Sequence, residues 1–185
     1  MTLHLPSSRT TTVLALLTLH VGAVYAWQSQ ASLHITSSSF AEGGRMPPTL
    51  TCEGENLSPQ IKLSMPPAGT KSLAIVVDDP DAPVPFTHWL AYGIPANTRE
   101  LPQGASTPSR QLEHAAEGTN SFGRTGYSGP CPPEGKPHHY VFHVYALDVM
   151  PTLSAGASAE QVNTAIHGHV LAEGRITGLY ARGGD

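Results

Sequence analysis

Two short clusters hold most of the side chains in this sequence that could do chemistry. The first is Asp78-Asp79-Pro80-Asp81-Ala82-Pro83, with His88-Trp89 following after a short spacer. Pro80 and Pro83 remove backbone donors and fix φ, so the turn is stiff and can hold its acids in one arrangement. A plainer use for such aspartates is to hydrogen-bond turn amides, as Asp does at many strand ends. The second cluster is Gly129-Pro130-Cys131-Pro132-Pro133 followed by Pro137-His138-His139-Tyr140. If both clusters lie on one rim of a sheet, Asp79, His88, His138 and Tyr140 converge with the backbone amides near Gly129 around a small anion. Imidazoles, a phenol and amides donate to phosphate oxygens. A carboxylate fixes an imidazole tautomer, or accepts from a protonated phosphate or an ammonium head group. This is binding chemistry first.

Other chemistries fit less well. A hydrolase using Asp79 and a histidine as base and acid lacks a recognisable nucleophile. There is no Gly-x-Ser-x-Gly, and Ser128 before Gly129-Pro130 is not a nucleophile elbow. Asp79, His88 and His138 could in principle ligate zinc, yet the ten histidines show no spacing such as His-Glu-x-x-His.

The elements that must position these residues read as strands. Ser72–Val77 is a continuous apolar run, too short for a helix and β-branched toward its end, which suits a strand buried on both faces. It ends in the acidic cluster. Thr87–Ile94 and Tyr140–Leu147 share an aromatic and β-branched character and complete the expected sheet core. Leu33–Thr36 alternates as a half-buried strand, Lys62–Met65 reads as a short strand, and Gly174–Tyr180 returns to strand pattern. Ser158-Ala159-Glu160-Gln161 is a capping box that opens a helix toward His167. Gln103–His139 shows no sustained periodicity; Phe122 and Tyr127 within it point to an ordered, site-forming loop.

Charged residues make up 13%, below the usual share of about 25%, while glycine (18) and proline (17) abound, which favours a β-rich fold. A formal charge of −4 with scattered Lys and Arg leaves no basic field for a nucleic-acid backbone. Residues 1–26 read as an export signal: Arg9, an apolar run from Val13 to Val24, then Val24-Tyr25-Ala26 as the cleavage site. The expected mature domain is residues 27–185, placed in the periplasm or secreted. In an oxidising compartment Cys52 and Cys131 can close one disulfide; two buried thiols are the alternative.

Taken together, the two clusters, with Gly126-Tyr127-Ser128 ahead of the second, resemble the paired signatures of the phosphatidylethanolamine-binding protein (PEBP) family, especially its bacterial Raf-kinase-inhibitor-like (YbhB/YbcL type) branch. Thr51–Pro59 and Pro67–Ser72 are also similar to that branch. The resemblance implies a mainly β fold: a β-sandwich with a large central sheet, a smaller sheet and one or two peripheral helices. It also implies a metal-free, cofactor-free pocket for phosphate, acetate or a phosphorylated head group. By position the ligand-binding residues would be Asp79, Asp81, His88, Gly129, His138 and Tyr140, with Phe86 and Pro130 as walls. Two departures stand out. His139 occupies a position where Arg is common in relatives, and Ser128 one where the bacterial branch often has Gly. A kinase- or protease-inhibitor-like interaction protein acting on an unidentified target through the Gln103–Lys136 loop is the alternative function. A homodimer is compatible with either reading.

Overall fold

The computed structural model describes residues 31–183, so the expected leader, residues 1–26, lies outside the described residues. Its strands are β1 (Ala31–Ser32), β2 (Ile35–Thr36), β3 (Gly44–Arg45), β4 (Ile61–Leu63), β5 (Ser72–Asp79), β6 (Phe86–Pro95), β7 (Glu100–Leu101), β8 (Ala116–Glu117), β9 (His138–Leu147) and β10 (Val170–Tyr180). The α-helix among the described residues is α1 (Ala159–Ile166), and Pro48–Leu50 forms a single 3₁₀ turn.

The large mixed sheet runs β1-β10-β9-β5-β6-β8, with β3 also pairing with β10. Its central strands are antiparallel, whereas β1 and β3 join β10 in parallel. The small sheet, β2-β4-β7, is antiparallel. The apolar run of β5 explains the layering. Leu73, Ile75 and Val77 face a core shared with Ile35, Ile61, Leu63 and Leu101 of the small sheet. Ala74 and Val76 face a second core with Leu90, Tyr92 and the helix residues Val162 and Ile166. Both faces of β5 are therefore dry, as its unbroken hydrophobicity requires. Each large side chain fully buried there, Phe142 or Leu73 for example, contributes about 2–3 kcal/mol by leaving water.

The helix begins at the expected capping box: Gln161 N–H donates to Ser158 Oγ at 3.2 Å, and Ser158 N–H donates to Gln161 Oε1 at 2.9 Å. The three central strands extend slightly beyond their expected limits, to Ser72–Asp79, Phe86–Pro95 and His138–Leu147, and the three others differ more. Only Ile35–Thr36 of the Leu33–Thr36 stretch pairs in the small sheet; Leu33 N–H instead donates to Glu173 O of β10, which ties the two sheets together. The short strand is Ile61–Leu63 and stops before Met65, which is exposed ahead of Pro66-Pro67. The last strand starts earlier than Gly174, at Val170. Gly178 within β10 is a packing requirement, since a Cβ there would stand 2.5 Å from the Met46 side chain.

Candidate functional site

β5 ends and β9 begins at the same end of the large sheet, side by side and antiparallel. Asp79 thereby continues the face of β5 that carries Ile75 and Val77, while His138 and Tyr140 continue the face of β9 that carries Phe142 and Val144. His88 reaches the same side through an irregularity in β6. Val77 pairs with Trp89 and Asp78 with Thr87, so His88 is left over as a bulged residue. Strict alternation would send His88 to the face opposite Trp89; the bulge re-aims it. His88 and Tyr140 consequently meet edge to face, ring centroids 5.0 Å apart.

These four residues form the polar end of a cavity of about 330 Å³. Asp79 is nearly buried and uses both its oxygens. Its Oδ1 accepts from the Asp81 and Ala82 amides at 2.9 and 3.1 Å, and its Oδ2 lies 2.8 Å from His138 Nδ1. The plain turn role and the site role thus coexist in one carboxylate, one oxygen for each. Accepting the His138 Nδ1–H leaves His138 Nε2 as the ring's remaining polar atom. His88 Nδ1 is 2.7 Å from the Ser128 carbonyl; a carbonyl only accepts, so Nδ1 carries the proton. Burial lowers the His88 pKa, opposed by the Ser128 carbonyl and the Asp79 charge. His88 is therefore a neutral imidazole near pH 7, and its Nε2 accepts a hydrogen bond rather than supplying the donor expected from sequence. Tyr140 completes the set. It is fully buried, and its hydroxyl faces the Asp79 carboxylate without making a hydrogen bond of normal geometry among the described residues. Burial, reinforced by the Asp79 charge, raises the phenol pKa, so it stays protonated.

The remaining expected site residues are placed differently. Asp81 stands at the rim, where its Oδ2 accepts from both the backbone N–H and Nδ1 of His139 at 2.7 Å. The backbone bond, followed by the side-chain bond, lowers the Asp81 pKa. His139 thus latches the acidic turn to β9 from outside the cavity. The Gly129 amide is already occupied, donating to Asn56 Oδ1 at 2.6 Å. Gly129 itself is required because a Cβ there would lie 2.0 Å from the Leu50 carbonyl oxygen. Phe86 lines the cavity as expected. Pro130 is buried behind the wall, its carbonyl accepting from Cys52 N–H, and the wall is made by Pro132 and Pro133 instead.

Sequence reasoning also missed Val84 as a rim residue and Asn56 as a support. Val84 is 62% exposed beside the cavity. Asn56 adopts φ 59°, a left-handed conformation that Asn tolerates better than most residues. Only the short polar side chain within an otherwise Gly-rich loop hinted at that role. Of the two loop aromatics, Phe122 reaches the cavity, packing 4.9 Å from Phe86 and 5.4 Å from His88. Tyr127 belongs to the core, with its hydroxyl donating to Leu50 O at 2.8 Å. Cys52 and Cys131 form a disulfide with Cα atoms 5.4 Å apart, and Cys131 borders the cavity. Among the described residues no group of three or more His, Cys, Asp or Glu side chains is arranged to hold a metal ion.

With this geometry in view, the sequence pattern described as phosphatidylethanolamine-binding protein matches residues 36–181. The chain belongs to the phosphatidylethanolamine-binding protein family. It is 43% identical over 171 residues to the UPF0098 protein PH1269 of Pyrococcus horikoshii, covering 90% of this chain and 85% of that one. It is 35% identical to the UPF0098 protein YbhB of Escherichia coli, covering 80% and 100%. Among solved structures it is similar to E. coli YbcL, described as a new member of the mammalian PEBP family (TM-score 0.76, 35% identity, 82% of this chain and 99% of that one). It is also similar to CT736 of Chlamydia trachomatis, described as a putative PEBP homolog (TM-score 0.74, 34% identity, 82% of this chain and 98% of that one).

Proposed function

We propose that the protein is a non-catalytic binder of small anions or phosphorylated head groups in the Asp79–His88–His138–Tyr140 cavity. The observation that carries this reading is the buried Tyr140 hydroxyl, which makes no well-formed hydrogen bond beside Asp79. A buried donor left unmade costs about 1–3 kcal/mol, and an oxygen acceptor entering the cavity would satisfy it. A hydrogen phosphate suits the set: one oxygen accepts from Tyr140, while its P–OH donates to the neutral His88 Nε2. An ammonium group would find the acidic end of the cavity at Asp79. Ser128 offers no nucleophile, since it is buried and its Oγ accepts from Asn120 Nδ2 at 3.0 Å. Modulation of a partner protein is compatible with the exposed Val84 and Phe122 at the cavity mouth. The test is an NMR titration with phosphate and phosphoethanolamine, following the histidine signals in wild type and in His138→Ala. Saturable shifts lost in the variant are expected; a wild type that shows no shifts refutes the reading.

A further inference from the structure

A second cavity, of about 230 Å³, adjoins the first and shares Phe122 and Cys131 with it. Its other lining includes Cys52, Asn56, Arg124 and Gly129. The loop that borders both cavities is held by its own hydrogen bonds. Asn120 is buried and holds the tip of its own loop: Oδ1 accepts from the Phe122 and Arg124 amides at 3.0 and 3.2 Å, and the Asn120 N–H donates to Arg124 O at 2.8 Å. Asn120 Nδ2 donates to Gly126 O and Ser128 Oγ, and Ser121 N–H is tied to Thr87 O of β6. One pinned turn therefore presents an aromatic ring to the first cavity and a guanidinium-bearing side chain to the second.

The chemistry of the second cavity differs from that of the first. Its surface is mostly apolar, with Phe122 and the Cys52–Cys131 bridge in its lining beside Asn56, Arg124, Ser128 and Gly129. The Arg124 guanidinium is exposed and makes no ion pair or hydrogen bond among the described residues. Asn56, whose Oδ1 is committed to Gly129 N–H, keeps its Nδ2 donors. An apolar cavity bordered by a free cation and an amide donor is complementary to an apolar group that carries an acid.

We propose that this cavity is a subsite for the rest of the same ligand. The ligand class is a phosphomonoester, or similar head group, on a flat apolar body whose far end carries a carboxylate or second phosphate that pairs with Arg124. The inference rests on the head-group reading above. It makes Phe122 and Arg124 specificity-determining residues, the first by stacking on the apolar body and the second by pairing with its acid.

Isothermal titration of the protein with inorganic phosphate, phenyl phosphate and 4-carboxyphenyl phosphate, in wild type and in Arg124→Gln, tests it. Affinity should rise along the series, with the carboxylate adding about fivefold or more as a charge-assisted contact. Arg124→Gln should abolish the carboxylate's gain while leaving inorganic phosphate within about twofold, as expected for the loss of an exposed charge. Phosphate binding with no gain from the carboxylate, or a gain that survives Arg124→Gln, overturns this inference alone. Failure of all three ligands to bind overturns the head-group reading and this inference with it.

Discussion

Burial reinforces the protonation states of two side chains in the cavity. Tyr140 retains a buried, protonated hydroxyl that makes no well-formed hydrogen bond. Tyr140→Phe should weaken phosphate binding about tenfold, the worth of one hydrogen bond to a charged group, yet leave the melting temperature equal or higher because a poorly satisfied donor is removed. Calorimetric titration and thermal melts of both proteins check this; an unchanged dissociation constant would exclude the phenol from the site. His88 is the second case. Burial sets its folded pKa below the ordinary imidazole value of 6.5, so the unfolded chain takes up a proton first as the pH falls. The neutral ring's contribution is complete above about pH 6.5 and is lost as the pH drops from there through the lowered folded value. His88→Gln should flatten that loss, read from urea unfolding at pH 7.5 and 5. The types of these residues were legible in sequence, because a carboxylate, two imidazoles and a phenol sit at expected strand ends. Their protonation states and spare atoms were not, since these depend on Ser128, which lies 40 residues from His88 in sequence.

At the scale of elements, the long strands follow hydrophobic runs that a reader can see in β5, β6 and β9. The bulge at His88 leaves no such trace, because it is set by the pairing of two distant strands and not by either alone. The wall beside the site likewise depends on a covalent tie, the Cys52–Cys131 bridge, that sequence presented only as one of two options. That bridge spans 79 residues. The chain-entropy model assigns a loop of this length about 4 kcal/mol. The double variant Cys52→Ser/Cys131→Ser should therefore lose roughly that much stability in urea unfolding. A loss below about 1 kcal/mol would show that the bridge does not constrain the unfolded chain.

For the molecule as a whole, two cores lie on opposite faces of one sheet and share β5 and β6. Neither can melt while the other keeps its strands, so Trp89 fluorescence in the first and far-ultraviolet circular dichroism should report one coincident transition. Separate midpoints would mean that the helix side unfolds by itself. The β-rich fold and the main strands were readable from the chain, but the pairing of β5 with β9 and of β1 with β10 was not, since each joins segments far apart in sequence. One local feature also reaches the whole molecule. Asn56, the residue that clasps Gly129 and borders the second cavity, heads an Asn-Leu-Ser triplet. That triplet is the acceptor pattern for N-linked sugar in a eukaryotic secretory pathway. In such a host Asn56 Nδ2, at the border of the second cavity, is the atom offered for glycosylation. Batches from bacterial and eukaryotic hosts would then share a head-group site and differ at the border of the cavity beside it.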